Sequence, residues 1–80
     1  MIFKFSGGVP TKCTEWLWEN VGKGNIEPGM GRKEGRVREE DDEWFFEFIE
    51  DIDDKGILWY VPSIDVFDEQ KAIWFKLRWL

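Results

Sequence analysis

The chain contains no histidine, one cysteine and two serines. Without histidine it lacks the commonest general base, the usual activator of a nucleophile and the commonest transition-metal ligand. Ser6 and Ser63 stand outside any Gly-x-Ser-x-Gly context, so a serine nucleophile of the elbow type is not indicated. With Cys13 alone, neither an internal disulfide nor a cysteine-rich zinc site can form. A single thiol fits a reducing compartment. No stretch approaches the roughly 18 consecutive apolar residues of a membrane span. The N-terminus shows no basic region followed by an apolar run. The expectation is a non-enzymatic protein, with no cofactor or metal and no membrane association, in the cytoplasm of a cell or of an infected host.

What the chain has in abundance is aromatic side chains and carboxylates. Eighty residues make one domain, and a domain this short has little surface to bury. Six Trp, seven Phe and one Tyr compensate, because each buried aromatic removes roughly 150–250 Å² from water. The formal charge is −6, from 17 acids and 11 bases. Its distribution matters more than its sum. Residues 39–54 hold ten carboxylates and no base, while the remaining residues carry all 11 bases against seven acids. A basic, Gly-rich stretch with Arg32, Lys33, Arg36 and Arg38 runs directly into this acidic block.

Residues 1–5 alternate as a strand that places Phe3 and Phe5 on one face. Pro10 suits a first helical turn. From Thr11 to Val21, Cys13, Trp16, Leu17 and Val21 form one helical stripe, which leaves Trp18 off it, and Gly22 terminates the helix. Residues 22–43 read as a long loop, with a short pairing near Val37. The segment 44–52 fits both a helical and a strand template. The strand wins because Asp53-Asp54-Lys55-Gly56 is hairpin-turn chemistry and 57–61 is β-prone throughout. A helix ending in Asp51, Asp53 and Asp54 would also set negative charge against its own dipole. Pro62 is expected to end or kink the next strand. Residues 72–80 alternate as a last strand, with Ile73, Phe75, Leu77 and Trp79 on one face and Trp74, Lys76 and Arg78 on the other.

The expected fold is therefore α+β in the order β-α-β-β-β, with one helix on one face of a four-stranded antiparallel sheet. That helix covers Phe3, Phe5, Trp44, Phe46, Phe48 and Trp59. Phe45, Ile49, Tyr60 and Trp74 are left on the open face, where a homodimer could form.

Three features bear on function. The acidic block (Glu39, Glu40, Asp41, Asp42, Glu43, Glu47, Glu50, Asp51, Asp53 and Asp54) is either a solubilising guard for an aromatic sheet or a partner surface. Closely spaced carboxylates present a protein that binds nucleic acid with something like a row of phosphates, and a basic partner relieves their mutual repulsion. In general character this resembles small acidic inhibitors of nucleases and phage antagonists of host defence, a compositional likeness that rests on no motif. The expected role is a non-catalytic inhibitor or adaptor that binds a basic, nucleic-acid-binding protein. Variants of it are an anti-defence antagonist, a nucleic-acid mimic or a toxin-neutralising immunity protein. Tyr60, Trp74 and Arg78 are the expected anchors. The alternative is a nucleic-acid-binding module that uses the basic loop 22–38. A pI of about 4.6 argues against direct nucleic-acid binding. A calcium-loop opening at Asp51-x-Asp53 fails, because Lys55 and Pro62 occupy ligand positions.

Overall fold

The computed structural model describes residues 1–27 and 37–80. Its elements are β1 (Ile2–Lys4), α1 (Thr11–Asn20), β2 (Trp44–Ile52), β3 (Leu58–Val66) and α2 (Glu69–Trp79). The order is thus β-α-β-β-α, and the sheet has three antiparallel strands in the order β1-β3-β2. The expected fourth strand is a helix. Its apolar residues satisfy two templates at once. Ile73, Phe75, Leu77 and Trp79 alternate, but Ala72, Phe75 and Trp79 also fall at i, i+3 and i+7. The end signals decide between them. Asp68 caps the helix by accepting from the Lys71 N–H at 2.9 Å, Glu69 lies in the first turn, and Lys76 and Arg78 lie in the last. Each charge sits at the favourable end of the helix dipole.

Both helices pack on one face of the sheet. Trp44 pairs with Val66 and Phe46 with Ile64 across β2 and β3, and Phe3 of β1 faces Ile64. These side chains bury against Cys13, Leu17 and Val21 of and after α1, and against Ala72 and Phe75 of α2. Phe75 is the hub: its ring lies 5.1 Å from Phe3, 6.1 Å from Phe5 and 6.2 Å from Trp16. The α1 stripe is as the spacing implies, and Trp18, off the stripe, donates its indole N–H to the Ile26 carbonyl.

The cover stops halfway along the hairpin. Trp44 and Phe46 are buried, but Phe48 is 49% exposed and Ile52 65%. The expectation that the helix side covers Phe48 and Trp59 therefore fails. Trp59 pairs with Asp51 and so lies on the opposite face, while Tyr60 pairs with Glu50 on the Phe48 side. β3 also runs straight through Pro62. The β1 ladder stops at Lys4, and Pro62 serves it only as an acceptor, for the Phe5 N–H at 3.0 Å, so a missing donor costs nothing there.

The loop before β2 is anchored at residues that no local sequence pattern marks. Gly24 bridges Trp44 in parallel fashion. The Asn25 side chain then acts as one more peptide unit on the edge of β2, donating to the Phe46 carbonyl at 2.8 Å and accepting the Phe46 N–H at 2.7 Å. Val37, the expected pairing point, is outside any strand and 85% exposed. Residues 28–36, including Arg32, Lys33 and Arg36, lie outside the described residues.

Candidate interaction surface

The acidic block divides into two halves with different fates. The leading half is engaged at home. Lys23 reaches Glu39 at 2.6 Å and Asp41 at 2.9 Å. These two hydrogen bonds, Glu39 first, raise the Lys23 pKa above its ordinary value. Asp42 is buried and accepts the Glu39 N–H at 2.7 Å, which closes the turn. Glu43 lies 3.7 Å from the Lys71 ammonium, which also donates to the Val21 carbonyl at 3.0 Å. Among the described residues the cations that serve this half are thus Lys23 and Lys71. Arg38, the last base of the stretch that runs into it, stacks over the Phe67 ring at 3.9 Å. Glu40 is exposed.

The second half rides on the hairpin. Asp53 is structural. Its Oδ1 accepts the N–H groups of Lys55 and Ile57 at 2.9 Å each, which fixes the turn around Gly56 at φ +79°. Asp51 accepts the Ile52 N–H at 3.0 Å and lies at the 4.0 Å limit of an ion pair with Lys4. Glu50 meets the Tyr60 hydroxyl at 3.5 Å. Glu47, Glu50 and Asp54 form no ion pair among the described residues. They alternate with exposed apolar groups, since Phe48, Ile52, Leu58, Trp59 and Tyr60 are each 44–65% exposed. The far half of the hairpin thus offers carboxylates and hydrophobic surface together.

Trp74 and Arg78 are not part of this surface in the way the alternation implied, because they sit on α2. Arg78 stacks over Trp79 at 4.7 Å. Trp74 is half exposed beside Ile73 and Leu77, on the side of α2 turned away from the core. No hydrogen bond or ion pair joins either residue to the hairpin acids among the described residues. Conversely, Phe48, Leu58 and Trp59 belong to the exposed surface and were expected in the core or left unassigned. The β-prone run 57–61 was the available signal.

Among the described residues no group of three metal-ligating side chains converges, and no helix is long and apolar enough to cross a membrane. The chain matches no known protein family, no curated protein and no solved structure.

Proposed function

We propose that this protein is a non-catalytic inhibitor or adaptor that presents the acidic, aromatic far half of its β2–β3 hairpin to a basic, nucleic-acid-binding protein in the cytoplasm. The observation that carries this reading is the division of the acidic block. Glu39, Asp41 and Glu43 have lysines beside them, whereas Glu47, Glu50 and Asp54 stand among exposed apolar side chains and form no ion pair among the described residues. Carboxylates held apart on a strand repel one another in the free protein, and a basic partner relieves that repulsion and is steered in by it. Exposed Trp59 and Tyr60 are of the residue types that dominate binding energy once desolvated.

The test compares two sets of charge reversals in capture from nuclease-treated host lysate, washed at rising salt. Reversing Glu47, Glu50 and Asp54 to Lys is expected to abolish capture of basic proteins. Reversing Glu40 alone is expected to leave most of it. Capture that is indifferent to both the reversals and the salt sinks the reading. Direct titration with DNA and RNA is expected to show no binding, and binding that falls steeply with salt would favour the nucleic-acid module instead.

A further inference from the structure

β2 is an edge strand, and the described residues use only half of its outer edge. Phe46 directs its N–H and C=O outward to the Asn25 amide. In an antiparallel ladder these directions alternate, so Phe48, Glu50 and Ile52 also turn their backbone groups outward, away from β3. Beyond Phe46 the outer edge has one bond from the described residues, the Ile52 N–H to its neighbour Asp51. Asn25 thus shows what this edge accepts: a peptide-like donor and acceptor pair at hydrogen-bond distance. At the next positions along, Phe48 and Glu50, no described residue bonds the outward backbone groups.

Resting on the acidic-surface reading above, we propose that the outer edge of β2 from Phe48 to Ile52 is a docking site for an extended basic segment of a protein partner, which adds to the sheet as a further strand. Charge selects this occupant over a second copy. Antiparallel self-pairing centred on Ile49 sets Glu47 against Asp51 on both sides. Centring on Glu50 or on Asp51 sets each against itself. Like charges directly opposite destabilise a pair of strands. A basic strand turns the same carboxylates into attractive cross-strand partners. Main-chain bonds then give affinity and the alternate side chains specificity. Run antiparallel from Ile52 back to Glu47, the complementary segment reads apolar, basic, basic, apolar, apolar, basic.

The probe is a capped peptide of that pattern, Val-Lys-Arg-Ile-Val-Arg, titrated against the full chain at low salt with amide exchange followed residue by residue. The parent peptide is expected to bind and to slow exchange at Phe48 and Glu50. N-methylation of its third and fifth residues, which face the edge, is expected to weaken binding by at least about tenfold, because two main-chain donors are lost. Methylation of its second and fourth residues, which point away, is expected to change it by less than about threefold. Equal binding of both methylated forms, without protection at Phe48 and Glu50, overturns strand docking and leaves a plain electrostatic contact. Failure of every peptide to bind also overturns it. The acidic-surface reading is then judged separately, by the charge-reversed capture. A chain that dimerises at low salt through this edge, protecting Phe48 and Glu50 without peptide, overturns the proposal in favour of a second copy.

Discussion

At the scale of single residues, Gly24 and Lys23 fix the approach of the long loop to β2. A β-carbon on Gly24 would land within the indole of Trp44, one of the largest fully buried side chains in the core. The indole has little freedom to yield, because its N–H donates to the Gly22 carbonyl at 2.9 Å. Gly24→Ala is therefore expected to cost roughly 1–3 kcal/mol, the usual range for overpacking, measured by urea unfolding. Gly7→Ala, where nothing lies within 4 Å, serves as the control. Lys23 supplies a pH signature. Its folded pKa is raised above 10.5 by the hydrogen bonds it donates to Glu39 and Asp41. A raised pKa in a base means stability that is complete below the unfolded value and declines as pH climbs through the folded one. The stability gap between the native chain and Lys23→Met is expected to be constant through neutral pH and to close only above pH 10.5. A gap that is independent of pH in the alkaline range would show that the ammonium contributes nothing.

At the scale of elements, α2 depends on its ends more than on its apolar pattern. The Asp68 carboxylate accepts the Lys71 N–H, and loss of such a cap costs about 1 kcal/mol. Asp68→Ala is expected to lower stability by that amount, and Asp68→Ser to recover most of it, both read from denaturation midpoints. If the cap were irrelevant, the two variants would unfold together with the native chain. The same residues explain how this segment misleads when it is read as a sequence. The alternation in 73–79 is real, but it competes with the helical spacing of Ala72, Phe75 and Trp79, and Leu77 ends up 81% exposed. The dipole argument that excludes a helix for 44–52 speaks for one at 69–79, with Glu69 at the start and Lys76 and Arg78 at the end. The hairpin was legible because local turn chemistry dictates it: Asp53 and Gly56 serve the roles their types imply. The Gly24 and Asn25 anchors were not legible. They pair with Trp44 and Phe46 about 20 residues on, and no local pattern marks such a contact.

At the scale of the whole molecule, a net charge of −6 is set against short ion pairs such as those of Lys23, and salt acts on the two differently. The candidate surface was legible as a run of charge. Its division into an engaged half and an open half was not, because Lys23 and Lys71 reach it from distant parts of the chain. Lys23 contacts its acids within 3 Å, and pairs this close lose little to screening until salt is high. The carboxylates on one face of β2 are farther apart. Glu47 and Asp51 are four residues from one another, about 13 Å at the rise of a strand. The Debye length falls from about 30 Å at 0.01 M salt to about 8 Å at 0.15 M. Across that interval the repulsion is largely screened while the short pairs persist. The thermal midpoint is therefore expected to rise between 0.01 M and 0.15 M sodium chloride. Replacing Glu47, Glu50 and Asp54 by their amides is expected to raise the low-salt midpoint and to shrink the salt response. Should the native midpoint instead fall with salt, the short ion pairs outweigh the repulsion. The free protein would then hold no electrostatic strain for a basic partner to relieve, and the functional reading would lose its driving force.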